Sequence, residues 1–364
     1  MDKVKNQIKK LNLSLTNKVN CELPSKILVT GGLGYIGSHT CVELIQQGFE
    51  IIIVDNLSNS SKNVLDGIKK ITGVSPEFVK LDLRDRKEVN RLFQHHPDLN
   101  GIIHFAAYKA VGESVKLPLE YYENNIGSLI YLLQAIESKG QRCSFIFSSS
   151  CTVYGQADQL PISEQAPVKK AESPYGNTKQ IGEEILYDNT RSNEFLKVIS
   201  LRYFNPIGGH SSIEIGELSK GKPQNLVPFI TQTAAGIHQK INVFGGDYPT
   251  DDGTCVRDYI HVVDLAKAHV VGLKRIMADE QTENFEVFNL GTGKGNSVLE
   301  VIKTFEKVSG ISLNYEIVDR RSGDIVEAYA DTSKANKILG WQAVNNLEMA
   351  LKTAWEWEKK IRNK

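Results

Sequence analysis

The chain has 364 residues, 41% of them hydrophobic and 24% charged, and its 43 Lys plus Arg are matched by 43 Asp plus Glu. Such a length buries a large core in one large or two interleaved domains, and the balanced charge offers no overall field to draw in nucleic acid or an anionic membrane. No apolar run approaches the roughly 20 residues of a membrane span, and the N-terminus lacks the apolar core of a secretion signal. Five cysteines without a C-x-x-C spacing fit reduced thiols in a cytoplasmic protein, with no structural metal.

Residues 1–25, with Lys3, Lys5, Lys9, Lys10 and Lys18 among sparse leucines, read as an extension ahead of the fold. The first predicted strand, Ile27–Thr30, runs straight into a glycine loop and a helix near Ser38–Gln47. Gly32, Gly34 and Gly37 fit G-x-G-x-x-G, a pattern that gives a tight turn, close backbone approach to a pyrophosphate and close helix-on-strand packing. The next strand, Ile51–Asp55, ends in a carboxylate 23 residues after Gly32, where such folds bond an adenosine ribose, and an anion there favours NAD over NADP. Strands then follow at Glu77–Lys80, Gly101–Phe105, Ser144–Ser148 and Lys197–Arg202, with helices near Arg86–Phe93, Leu119–Lys139 and Tyr175–Thr190. This alternation predicts an α/β, Rossmann-type, doubly wound parallel sheet over residues 26–204. Beyond Asn205 the texture turns Gly- and Pro-rich (Gly208-Gly209, Lys222-Pro223, Gly245-Gly246), which predicts a smaller, interleaved C-terminal domain over 205–364 that shapes a pocket, with some segments returning to the first. Leu347, Leu351, Ala354 and Trp355 recur at helical spacing and predict a closing amphipathic helix.

Ligands of open α/β sheets sit outside the carboxyl ends of the strands, so the residues there are the first candidates for chemistry. His104-Phe105-Ala106-Ala107, Ser148-Ser149-Ser150-Cys151-Thr152 and Tyr203-Phe204-Asn205-Pro206 lie at three such ends. His104 and His261 read as structural histidines. Of thirteen tyrosines only Tyr175 has a lysine four positions on, Lys179, and the pair opens a helix introduced by Pro174. A neighbouring ammonium stabilises a phenolate, so the pair could supply a general base near neutral pH.

From about Lys26 to Trp357 the chain resembles the extended short-chain dehydrogenase/reductases, and within them the UDP-glucose (UDP-galactose) 4-epimerase family. The resemblance is carried by Val29-Thr30-Gly31-Gly32-Leu33-Gly34-Tyr35-Ile36-Gly37-Ser38-His39, Lys109-Ala110-Val111-Gly112-Glu113-Ser114, Tyr175-Gly176-Asn177-Thr178-Lys179, Arg202-Tyr203-Phe204-Asn205-Pro206 and Val256-Arg257-Asp258-Tyr259-Ile260-His261. It implies an isomerase that epimerises C4 of UDP-hexoses through a 4-keto sugar, using a resident NAD regenerated each cycle. It further implies that Tyr175 takes the proton of the 4-hydroxyl, that Ser150 hydrogen-bonds the same oxygen, and that Lys179 holds the nicotinamide ribose and lowers the Tyr175 pKa. Residues expected at the cofactor are Gly31, Gly34, Tyr35, Ile36, Gly37, Asp55, Asn56, Asn59, Ser60, Asp82, Leu83, Phe105, Ala106, Lys109, Asn124, Tyr175, Lys179 and Phe204. Those expected at the UDP-sugar are Ser150, Tyr175, Phe204, Asn205, Asn225, Leu226, Asn242, Phe244, Arg257, Arg321, Asp324 and Ala328, with both arginines facing the diphosphate. Cys151 stands where the family commonly has Ala. Ala328 stands where a bulky aromatic would exclude N-acetyl groups, so UDP-N-acetylglucosamine and UDP-N-acetylgalactosamine are expected as further substrates. A homodimer through the helix bearing Tyr175 is expected by fold analogy. Nucleotide-sugar 4,6-dehydratases are the nearest rivals, but they carry Asp-Glu where this chain reads Cys151-Thr152.

Overall fold

Within the first 104 residues, four short strands rich in Val, Ile and Leu carry the chain through one sheet: β1 (Lys26–Thr30), β2 (Glu50–Asp55), β3 (Glu77–Lys80) and β4 (Leu99–His104). The structure, a computed structural model, describes residues 25–218, 221, 223–321 and 324–362. The sequence-predicted extension up to residue 24, with Cys21, lies outside the described residues. Further strands are β5 (Cys143–Ser148), β6 (Leu196–Tyr203), β7 (Asn205–Ile207), β8 (Ile241–Phe244), β9 (Val256–His261), β10 (Phe285–Leu290), β11 (Gly295–Ser297), β12 (Tyr315–Val318) and β13 (Glu327–Ala328).

The main sheet has seven strands in the order β10-β6-β5-β4-β1-β2-β3, all paired in parallel. Strand side chains alternate in direction, so Ile27, Val29, Ile51, Ile53, Ile103, Ile146 and Ile199 enter one core while Leu28, Ile52, Val54, Ile102, Phe145 and Val198 enter the other. Burial on both faces is why these strands read as unbroken apolar runs. The strand order reverses between β1 and β4, and a crevice opens there beyond the strand ends. The last main-sheet strand, β10, comes from far along the chain, and the helix Val262–Met277 ahead of it packs on the helix Tyr35–Gln46. A second group of strands gathers β7, β9, β11 and β13, and β8 pairs with β12. Helices Leu226–Ala234, Val298–Ser309 and Leu347–Arg362 pack with these strands around Val243, Phe305, Leu351 and Trp355.

Two elements differ from the sequence expectation. Residues Val64–Thr72 form an unanticipated helix, whose apolar stripe is diluted by Asp66, Gly67, Lys69 and Lys70. Gly67 is needed there, because a Cβ would lie 2.5 Å from the Glu214 carbonyl oxygen. The single helix expected over Leu119–Lys139 is instead Pro118–Tyr122, a π-helical turn at Glu123–Gly127, and Ser128–Lys139. Tertiary hydrogen bonds favour the widened turn. The Asn125 side chain accepts from Tyr108 N at 2.8 Å and donates to Thr178 Oγ1 at 3.0 Å, and π turns of this kind concentrate at functional sites.

Candidate functional site

The crevice is a cavity of about 760 Å³ that runs from the glycine loop past the ends of β4, β5 and β6 to β8 and β9. At one end, Gly31 has φ +66°, and a Cβ on it would lie 2.8 Å from Ala106 N, so β1 and β4 approach here more closely than a side chain allows. A Cβ on Gly37 would lie 2.3 Å from Gly31 O, which explains the third glycine of the pattern. Gly34 caps the helix Tyr35–Gln46 without a side chain, leaving first-turn N–H groups for a phosphate. Asp55 is held at the end of β2: Leu57 N donates to its Oδ1 at 2.8 Å, Ser60 Oγ to Oδ1 at 2.7 Å, and Leu33 N to Oδ2 at 3.2 Å. Asp82 accepts from Asn56 Nδ2 and from Arg84, whose guanidinium holds the carboxyl down to about 2.

At the centre, Ser148, Ser150, Tyr175, Lys179 and Tyr203 face one stretch of the cavity. Ser150 caps the short turn Cys151–Tyr154, its Oγ accepting from Thr152 N at 3.2 Å, and it lines the cavity together with Tyr175. Lys179 Nζ donates to the Ser148 carbonyl at 2.6 Å, and Ser148 Oγ lies 2.5 Å from the Tyr203 hydroxyl. Burial pushes the Lys179 ammonium down to about 8. Burial also raises the Tyr175 phenol well above its usual range, with Tyr203 adding to the rise and Ser150 opposing it. Lys179 Nζ is 5.9 Å from the Tyr175 ring centre, and in the ligand-free protein burial is the largest influence on the phenol. Tyr175 therefore rests as a neutral phenol. Cys151 lines the cavity, but burial pushes its thiol up to about 11, which makes it a poor nucleophile.

At the far end, Asn205, Asn225, Leu226, Asn242, Phe244, Arg257, Arg321 and Asp324 all line the cavity. Arg321 donates to Asp324 Oδ1 at 2.7 Å and lies over the Phe244 ring. Arg257 donates to the Val256 carbonyl at 2.8 Å and has no carboxylate partner among the described residues. Its neighbour Asp258 points to the other face of β9, where it accepts from Thr292 Oγ1, Thr292 N, Gly293 N and Ala330 N. Arg257 and Asp258 thus form no ion pair.

Every residue expected at the cofactor lines this cavity, as do all those expected at the UDP-sugar except Ala328. Ala328 is buried in a cluster with Phe204, Tyr154 and Ile162 and does not line the cavity. Tyr203, Glu217 and Tyr259 also line the cavity and were not singled out as site residues in the sequence. Tyr203 and Tyr259 sit inside motifs the sequence displays. Glu217 has no such signal: it comes from an irregular segment and takes Lys109 Nζ at 3.4 Å and Asn225 Nδ2 at 3.2 Å on one oxygen, joining the two ends of the site. His104 and His261 are buried and neutral, pushed down to about 3 and about 4, and His261 caps the helix Val262–Met277 by accepting from Val263 N. Among the described residues no group of His, Cys, Asp and Glu is placed to hold a metal ion, and no helix is long and apolar enough to cross a membrane.

Comparison with known proteins identifies the family. A family model described as GDP-mannose 4,6 dehydratase matches residues 28–354. A UDP-glucose 4-epimerase of Bacillus subtilis (strain 168) is 50% identical over 333 residues, which is 91% of this chain and 96% of the relative. A UDP-glucose 4-epimerase structure from Stenotrophomonas maltophila, with bound NAD and formylated UDP-arabinopyranose, superposes with a TM-score of 0.89 at 47% identity, covering 93% of this chain and 99% of the other. A second, from Bifidobacterium longum in complex with NAD+ and UDP, gives 0.89 at 44% identity over the same shares, 93% and 99%. The chain belongs to the UDP-glucose 4-epimerase family of extended short-chain dehydrogenase/reductases.

Proposed function

We propose that this protein catalyses reversible C4 epimerisation of UDP-glucose and UDP-galactose, with NAD held at the glycine loop and the UDP-sugar beneath Arg257 and Arg321. The observation that carries the reading is that Ser150, Tyr175 and Lys179 open onto one cavity whose ends suit a dinucleotide and a nucleotide sugar. The dinucleotide end fits: a side-chain-free helix start faces a phosphate position, glycines 31 and 37 clear the backbone, and a fixed carboxylate, Asp55, stands where a ribose diol would bond. Asn56, Asp82 and Leu83 complete the adenosine side, and Phe105, Ala106, Lys109 and Asn124 the rest.

NAD, held by the glycine loop and Asp55, would supply the redox chemistry at C4, a reversible two-electron hydride acceptor, together with a positive charge in the pocket. With that charge and the Lys179 ammonium beside it, the Tyr175 phenol would first give up its own proton to solvent, and as the phenolate it removes and restores the proton of the 4-hydroxyl, so that C4 becomes a ketone and then an alcohol of either hand. Ser150, which shares the cavity wall with Tyr175, holds the sugar oxygen in line for that transfer. Lys179, still cationic below its pKa of about 8, stabilises the Tyr175 phenolate through a low-dielectric interior. Arg257 and Arg321 grip the diphosphate, leaving the hexose free to present either face of the ketone. Cys151 and Thr152 offer no acid pair for water elimination, which argues against a 4,6-dehydratase.

The same reading extends to three further points. Ala328 shares a buried cluster with Phe204, which lines the cavity, so its small side chain would let that ring give way to an acetamido group, and the N-acetylated UDP-hexosamines are proposed as further substrates. The helix Pro174–Ser192, which leaves Tyr187 half-exposed, and the apolar Val115, Leu117 and Leu119 ahead of it form the surface of a homodimer. The protein works in the cytoplasm, residues 26–204 holding mainly the cofactor and later residues mainly the sugar nucleotide.

The test is proton NMR of UDP-galactose incubated with the purified protein and no added NAD. Appearance of the UDP-glucose anomeric signal, lost by a factor of about 10²–10⁴ in Tyr175→Phe, supports the assignment. No conversion even after NAD is supplied overturns it.

A further inference from the structure

The helix Pro174–Ser192 carries a third buried ionisable group that the steps above leave unused. Tyr175, Lys179 and Glu183 follow at intervals of four and lie along one buried face. The Glu183 carboxylate is where three elements meet. Its Oε1 accepts from Ser149 Oγ at 2.6 Å, Ser200 Oγ at 2.8 Å and Arg202 Nε at 3.0 Å, and its Oε2 accepts from Arg202 Nη2 at 2.5 Å. Ser149 stands between Ser148, whose carbonyl holds Lys179, and Ser150, which lines the cavity with Tyr175. One carboxylate therefore ties the turn bearing Ser150 to β6 and to the helix bearing Tyr175 and Lys179.

The Lys179 ammonium is only 4% exposed and has no carboxylate within 4.0 Å among the described residues. The titratable groups around it are Tyr175 and Glu183, one helical turn to either side, and His104 at the end of β4; Cys151 after β5 and Tyr203 on β6 adjoin Tyr175, and Arg202 on β6 is paired with Glu183. His104, Cys151 and the tyrosines are neutral at pH 7. That leaves Glu183 as the one anion among them, opposed by Arg202. A buried ion pair serving adhesion alone could be replaced by apolar packing at little cost in stability, whereas here the carboxylate of the pair sits one helical turn from a catalytic ammonium.

We propose that Glu183 and Arg202 are positioning residues, Glu183 keeping Lys179 protonated and Arg202 limiting how strongly it does so. The proposal rests on the role given to Lys179 above. It is tested on the holoenzyme labelled with ¹³C-lysine, following the Lys179 Cε signal through a pH titration and assigning it by its loss in Lys179→Arg. Glu183→Gln should move the Lys179 midpoint down by about one pH unit, and Arg202→Gln should move it up. The alkaline limb of kcat should move the same way in each variant, and it should vanish in Lys179→Arg, whose guanidinium does not deprotonate. Ser200→Ala, which keeps the ion pair and strips one donor from Glu183, should move the midpoint up by a few tenths and remains readable if a charge variant does not fold. Shifts in one common direction for Glu183→Gln and Arg202→Gln, or a midpoint unmoved in Ser200→Ala, overturn the proposal. Because the titration needs no turnover, a protein that fails to epimerise would sink the functional reading separately.

Discussion

Removing the lysine central to the reaction should make the ligand-free protein more stable. Folding takes the Lys179 ammonium from water to 4% exposure, and its pKa falls from 10.5 to about 8. That fall corresponds to about 3 kcal/mol of destabilisation at neutral pH. Lys179→Met fills the same space without the charge and gives up one hydrogen bond to the Ser148 carbonyl, worth about 1 kcal/mol. The expected net gain is about 2 kcal/mol, or about 3 °C in Tm for a chain of this length. The sign depends on pH. Below pH 8 both folded and unfolded chains hold the proton, so the wild type bears the whole penalty; between 8 and 10.5 the folded state releases it and the penalty shrinks. Urea unfolding of protein freed of dinucleotide, at pH 7 and again near pH 10.5, checks this. A variant less stable than wild type at pH 7, or one whose advantage is unchanged at the higher pH, refutes the reasoning. Epimerisation by the same variant should be lost.

Gly37→Ala forces a Cβ to within 2.3 Å of the Gly31 carbonyl oxygen, a backbone atom that cannot turn aside, so NAD released from the denatured protein should drop at least about tenfold; undiminished content would disprove the cradle argument. Ala328→Tyr overfills the cluster shared with Phe204 at a cost of about 1–3 kcal/mol and should abolish turnover of UDP-N-acetylglucosamine while sparing UDP-galactose. Equal loss of both would count against Ala328 as a specificity position. His39 and His104 are pushed down to about 3, and His261 and His269 to about 4, all by burial. The unfolded chain takes up these protons near pH 6.5 and the folded one does not, so stability is whole above that value and falls as pH drops toward 4. A urea midpoint that stays flat between pH 7 and 4.5 would show that these rings are not buried in neutral form.

Much of this architecture is local and therefore visible in the residues. Strands buried on both faces write continuous Val and Ile runs, and Gly31, Gly34 and Gly37 are dictated by contacts within one turn, so both signals survive without knowledge of the fold. Tyr175 and Lys179 are legible for the same reason, being one helical turn apart. What the residues hide is nonlocal. Glu217 reaches Lys109 across 108 positions and Asn225 across 8, and nothing in its own neighbourhood marks it. The break at Glu123–Gly127 follows from Asn125 finding Thr178, 53 positions away, which outweighs a helical pattern read along the chain. The resting protonation of Tyr175 is hidden too, because spacing gives a neighbouring cation but not how dry the pocket is.

Strand β10 is the edge of the seven-stranded sheet, and its Phe285–Leu290 pairs in register with Val198–Tyr203. During synthesis the first six strands leave the ribosome with one side of β6 unzipped, and roughly eighty more residues must emerge before that side is closed. The nascent chain thus spends that interval with a row of open N–H and C=O groups on the strand that bears Arg202 and leads to Asn205. The catalytic pocket consequently matures late in translation, and a nascent chain stalled before residue 285 presents an open sheet edge to chaperones and aggregation rather than a finished nucleotide site.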